Sequence, residues 1–284
     1  MIHLRITSVI WLIAMAVASA STLAASTQPA IRDDRNIAYG PDPLQKLDVY
    51  YPPDAVDAPV IFMVHGGGWR RGDKSYRNVV ANKVKYWTQK GYVFISTNYR
   101  LLPDADPLEQ ADDVAKALAF AQENAQSWGA DPNRFILMGH SAGAHLVALI
   151  TADPAIATRQ GARTWLGTVA LDSAAYDVVA IMQQRHFPLY DEAFGDNHGF
   201  WEKSSPIHRL RSASVPMLLI CSSRRILSCR NAKAFAKKDQ SLGGEATLVL
   251  QDLSHGQINA ELGLPGSYTD RVDAFMQSLL AEKR

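Results

Sequence analysis

Gly139-His140-Ser141-Ala142-Gly143 stands between two apolar runs, Phe135 to Met138 and Ala142 to Thr151. A serine flanked by glycines where a strand turns into a helix can be held on a sharp, strained turn. Its hydroxyl is then raised above a sheet, with a helix N-terminus beneath it. That placement suits a nucleophile attacking a carbonyl carbon. The five-residue pattern alone is common by chance; its position between strand and helix in mid-chain gives it weight.

Two further motifs supply what such a serine needs. His65-Gly66-Gly67-Gly68-Trp69 closes an earlier apolar run. Glycines there let backbone N–H groups approach a developing oxyanion with no Cβ in the way, and the N–H of Ala142 would complete the donor set. The base must be a histidine late in the chain, and Ser254-His255-Gly256 follows the last strand pattern. His255 is the candidate, because the order serine, acid, histidine fits this chemistry. His65 reads as a loop brace. His140 is expected to turn away from the serine, and His186, His198 and His208 fall in an intervening segment.

With HGGGW, GHSAG and a late SHG in this order, the chain resembles the α/β-hydrolase superfamily, in particular the hormone-sensitive-lipase-like carboxylesterases. The resemblance covers nearly all of the chain after its apolar leader. It implies an α/β fold with a mostly parallel eight-stranded sheet, helices on both faces, a Ser-His-acid triad and hydrolysis of carboxylic esters. Position by position, Ser141 matches the nucleophile, His255 the base, and Gly67, Gly68 and Ala142 the oxyanion donors.

The acid departs from that pattern. It usually follows the seventh strand, yet after Cys221 this chain reads Ser-Ser-Arg-Arg-Ile-Leu-Ser-Cys, and no Asp or Glu occurs from Lys203 to Lys238. Asp172 is the preferred substitute, because Leu171-Asp172-Ser173 ends the sixth strand and some lipases of the superfamily take their acid there. Asp252, Asp191 or Glu192, or a Ser-His dyad with no acid, remain alternatives. Arg224 and Arg225 beside the vacant position read as solvated or paired surface charges rather than as a clamp for an anionic substrate, the alternative for such a pair. Asp112 and Asp113, adjacent on a helix, point about 100° apart and do not suggest a shared ion. No metal and no cofactor is assigned.

The elements that would position these residues alternate. Strands are expected at Gln45 to Tyr51, Pro59 to His65, Tyr92 to Tyr99, Phe135 to Gly139, Leu166 to Leu171, Pro216 to Cys221 and Ala246 to Leu250. Helices are expected at Val79 to Lys90, Leu108 to Trp128, Ala142 to Thr151, Asn231 to Leu242 and Asp270 to Glu282. Such alternation argues for a parallel sheet with ligands bound beyond the carboxyl ends of its strands. Val178 to Leu210 breaks the pattern; irregular and rich in Phe, Tyr and Trp, it reads as a cap insertion.

Composition sets the frame. The 284 residues are 47% hydrophobic and carry a formal net charge of +1, which suits a single α/β domain and argues against disorder or a nucleic-acid scaffold. His3 and Arg5 precede the apolar run Ile6 to Ala18, which closes on Ala18-Ser19-Ala20 as a secretory signal peptide does. Residues 1–20 are therefore expected to be removed, leaving 21–34 as a mobile lead-in and 35–284 as the domain, in a secreted or periplasmic protein without a stable membrane anchor. An oxidising compartment would allow Cys221 and Cys229 to pair. The reading that follows is a secreted serine hydrolase acting on small-molecule esters. An arylformamidase-like amide hydrolase and a non-catalytic binding protein are the alternatives; the sequence leaves the oligomeric state open.

Overall fold

A computed structural model describes residues 1, 2 and 30–281, so the apolar leader lies outside the described residues. In chain order the elements are β1 Arg32–Ala38, β2 Lys46–Tyr51, β3 Ala58–Val64, α1 Arg77–Thr88, β4 Val93–Thr97, α2 Pro107–Asn124, β5 Ala130–His140 and α3 Ala142–Ala152. There follow α4 Ala155–Arg159, β6 Gly167–Leu171, α5 Val178–Met182, α6 Pro188–Phe194, α7 His198–Ser204 and α8 Pro206–Arg209. The chain closes with β7 Met217–Ser222, α9 Ile226–Ser241, β8 Ala246–Gln251, α10 His255–Ala260 and α11 Ser267–Ala281.

The eight strands form one sheet in the order β1-β2-β4-β3-β5-β6-β7-β8. The pairs β1–β2 and β2–β4 are antiparallel, and every later pair is parallel. This is the mostly parallel eight-stranded sheet the sequence leads one to expect. β3 shows why its strands read as continuous apolar runs. Val60, Phe62 and Val64 pack with Leu118 of α2 and Leu146 of α3 on one face, and Ile61 and Met63 with Val80 and Trp87 of α1 and Met276 of α11 on the other. A strand covered on both faces cannot alternate polar with apolar.

Local signals set the helix ends. Asp106 caps α2 through the N–H groups of Leu108 and Glu109, and Glu109 returns a bond to the Asp106 N–H, a reciprocal cap worth about 1 kcal/mol. The helix ends at Asn124 and continues as a 3-10 turn over Ala125–Trp128, which Gly129 closes with φ 70°.

Two expectations need correction. Residues 32–34, placed in the lead-in, belong to β1, an exposed edge strand. Arg-Asp-Asp-Arg carries little strand signal, since charged residues are what keep an edge strand from pairing with another chain. Val178 to Leu210 is not irregular but holds α5 to α8, each of seven residues or fewer. Helices that short show no measurable period. Among the described residues, no helix is long and apolar enough to cross a membrane.

Candidate active site

The candidate residues gather at the carboxyl ends of five adjacent parallel strands: the His65–Trp69 loop after β3, Ser141 after β5, Asp172 after β6, Arg225 after β7 and His255 after β8. Ser141 sits between β5 and α3 with φ 57° and ψ −116°, a conformation that costs a non-glycine residue of order 1–3 kcal/mol. The turn is possible because its neighbours lack side chains. A Cβ on Gly139 would lie 2.3 Å from the Gly143 carbonyl oxygen, and one on Gly143 would lie 2.2 Å from that of Val64. Trp69 and Asp172 also take positive φ, so three strained residues meet at one site.

His255 Nε2 lies 3.0 Å from Ser141 Oγ, and His255 Nδ1 lies 2.6 Å from Asp172 Oδ2. The structure thus brings Ser141, His255 and Asp172 together in one hydrogen-bonded chain. The other carboxylates are engaged elsewhere: Asp252 with Arg224, Asp191 with His186 and Glu192 with Arg70. Asp112 and Asp113 face different partners, Arg159 and Arg100.

Asp172 is fully buried, yet its carboxylate accepts from four donors. Oδ1 takes the Ser222 N–H at 3.1 Å and the Ser228 hydroxyl at 2.6 Å; Oδ2 takes Arg225 Nη1 at 2.6 Å besides the imidazole. Burial alone would raise its pKa. The bond to His255, the Arg225 charge and the Ser228 hydroxyl outweigh burial and hold the carboxyl well below its ordinary range. The disulfide Cys221–Cys229 brackets the segment that supplies Ser222, Arg225 and Ser228, and among the described residues no cysteine is free.

Arg224 forms the exposed pair expected of it, but Arg225 does not. Its guanidinium reaches the interior of the site and touches both Asp172 and His255. The His140 ring lies 4.5 Å from that of His255, and its Nε2 donates to the His255 carbonyl at 2.9 Å. Burial first, then the neighbouring His255, pushes its pKa down to about 3, so it is neutral and a donor at Nε2. His65 is buried and stacked on Tyr99, with its carbonyl accepting the Tyr99 hydroxyl at 3.0 Å, as a loop brace should be.

The glycine loop faces Ser141. Gly67 has φ 134°, and a Cβ on it would lie 1.8 Å from the Arg71 carbonyl oxygen. Gly67, Gly68 and Ala142 line one cavity of about 880 Å³ with Ser141 and His255. Among the described residues, no acceptor takes the N–H of Gly67 or Gly68. Trp69 pins the loop by donating its indole N–H to His145 Nδ1 at 3.1 Å, while His145 Nε2 donates to the Ser204 carbonyl in α7 at 2.7 Å. Burial lowers the His145 pKa to about 4. This residue was missed from sequence; its one signal is a histidine inside the otherwise apolar α3. Tyr76, Phe187 and Tyr190 complete the apolar side of the cavity.

Residues 47–238 match the family model described as BD-FAE. An isoprenylcysteine alpha-carbonyl methylesterase of Arabidopsis thaliana is 27% identical over 270 residues, covering 87% of this chain and 62% of that protein. Esterase LipC of Mycobacterium tuberculosis is 29% identical over 247 residues, covering 78% of this chain and 59% of that protein. The chain therefore spans about three fifths of the length of these relatives. Esterase B from Lactobacillus Rhamnosis superposes with a TM-score of 0.73 at 20% identity, over 89% of this chain and 87% of the other, which is a likeness of fold.

Proposed function

The chain belongs to the BD-FAE family, and from that premise we propose that it is a serine hydrolase cleaving small carboxylic esters through an acyl-enzyme on Ser141. The observation that carries this reading is the chain of contacts from Ser141 Oγ through both nitrogens of His255 to Asp172. Ser141 Oγ attacks the ester carbonyl as its proton passes to His255 Nε2. Asp172, held ionised, orients the imidazole and stabilises its charge. The oxygen that becomes negative is received by the N–H groups of Gly67, Gly68 and Ala142, each donor worth about 3 kcal/mol in the transition state. His255 returns the proton to the departing alcohol, and water releases the acid by the same steps in reverse.

Phe187 and Leu189, from the short helical segment 178–210, line the cavity, and a segment this small offers little shelter to a long acyl chain, which favours short ones. p-Nitrophenyl acetate and butyrate are expected to turn over faster than the palmitate, with Ser141→Ala inactive on all three. A preference for palmitate would reject the small-substrate reading. The apolar leader and the Cys221–Cys229 bond support a secreted or periplasmic location. Cell fractionation that finds the chain in the cytosol with residues 1–20 retained would reject it.

A further inference from the structure

Arg225 stands at the N-cap of α9, and its guanidinium ends between Asp172 and His255. Nη1 lies 2.6 Å from Asp172 Oδ2, 3.1 Å from the Asp172 carbonyl oxygen and 2.8 Å from His255 Nδ1. A guanidinium nitrogen only donates, so Nδ1 faces two partners with opposite demands. With a proton, Nδ1 donates to Asp172 and confronts the N–H groups of Arg225. Without one, it accepts from Arg225, and the ring proton sits on Nε2, toward Ser141, where a base needs a lone pair. A group that drew Nη1 aside would leave Asp172 as the partner of Nδ1.

The cavity has room and charge for such a group. Arg225 lines it with a third of its side chain exposed, and among the described residues no acceptor takes its Nε or Nη2. The other charges on the wall are Arg70, paired with Glu192 at 2.6 Å, Asp172 itself, and the exposed Arg71, which has no carboxylate partner among the described residues. The lining is cationic by one charge. A guanidinium with a free edge in a cleft matches the planar fork of a carboxylate.

We propose that the ester substrate carries a carboxylate, which docks on Arg225 with Arg71 adding attraction, and that this docking relieves the competition at His255 Nδ1. The inference rests on the hydrolytic reading of Ser141, His255 and Asp172. As Arg225 turns to the substrate, the imidazole gives its Nε2 proton to water and takes one from water at Nδ1, with no net change in charge. Nε2 is then free to receive the Ser141 proton.

The test compares monoethyl adipate with ethyl hexanoate, esters of equal chain length that differ by a carboxylate, with acid release followed in a pH-stat. Wild type is expected to favour the adipate in kcat/KM by about tenfold or more, and Arg225→Gln to bring the ratio to about unity. The rate on ethyl hexanoate normalises any damage to the triad in each variant. Arg225→Lys, which keeps the charge and loses the fork, is the second variant and retains part of the preference. A smaller wild-type preference, or one undiminished in both variants, overturns the proposal. If ethyl hexanoate is hydrolysed without discrimination, the role of Arg225 alone is lost. If wild type hydrolyses neither ester and no serine-directed probe labels it, the hydrolytic reading falls and the inference with it.

Discussion

Asp172 Oδ2 and His255 Nδ1 meet at 2.6 Å although β7 lies between the strands that carry them. The contact forms because Asp172, at φ 53°, turns out of the end of β6 while the loop after β7, where the sequence resemblance places the expected acid, presents Arg225. The carboxylate thus reaches the imidazole from two strands away.

Neutralising Asp172 is expected to be costly. In serine hydrolases of other folds the corresponding amide lowers kcat by about 10⁴, or about 5.5 kcal/mol of barrier. Asp172→Asn should lose three or more orders of magnitude, whereas Asp252→Asn, which breaks only an exposed pair with Arg224, should stay within about tenfold. Steady-state kinetics on variants of unchanged Tm check this; an Asp172→Asn enzyme within about tenfold of wild type contradicts it.

The disulfide should matter to catalysis as well as to stability. Closing a loop this short is worth about 2.5 kcal/mol in the chain-entropy model. The bracketed segment also supplies three of the four donors to Asp172. Cys221→Ala/Cys229→Ala is expected to lower Tm and kcat together. A variant that melts earlier but turns over at the wild-type rate would show that the segment holds Asp172 without the bridge.

Trp69 ties the glycine loop to α3, and through His145 to α7. Trp69→Phe removes the donor to His145 Nδ1 while keeping the ring contacts with Phe194. The loss should cost about 1–2 kcal/mol of stability and about tenfold in kcat as the oxyanion donors lose their register. An unchanged kcat in a folded variant would detach the loop's geometry from that bond.

Acid should destabilise the fold through its neutral histidines. His140 and His145 titrate at about 3 and about 4 when folded, below the ordinary value of about 6.5. As pH falls below that value the unfolded chain takes up protons that the native chain refuses. The contribution of the two rings is therefore full above about pH 6.5 and is lost toward their folded values, by up to about 2.7 kcal/mol per pH unit for the two together. Urea unfolding at pH 7, 6 and 5 measures this; a flat profile contradicts it.

Ser141, His255 and the glycine loop were legible because each is a local pattern whose chemistry depends on few neighbours. Asp172 could be ranked first but not chosen outright, since its role depends on a strand order that spacing along the chain does not reveal. Arg225 was misread for the same reason: beside Arg224 it has the look of surface charge, and only the adjacency of β6, β7 and β8 carries it to the imidazole. The contact of the His140 ring with His255 was not legible, because it depends on where the α10 segment folds.

The most direct measurement is mass spectrometry after treatment with a fluorophosphonate probe, applied to wild type, Ser141→Ala and His255→Ala. A serine hydroxyl becomes reactive only with its base in place. Wild type is expected to gain one adduct, mapped to Ser141, and the two variants none. Equal labelling of all three proteins, or an adduct on a residue other than Ser141, would contradict the account.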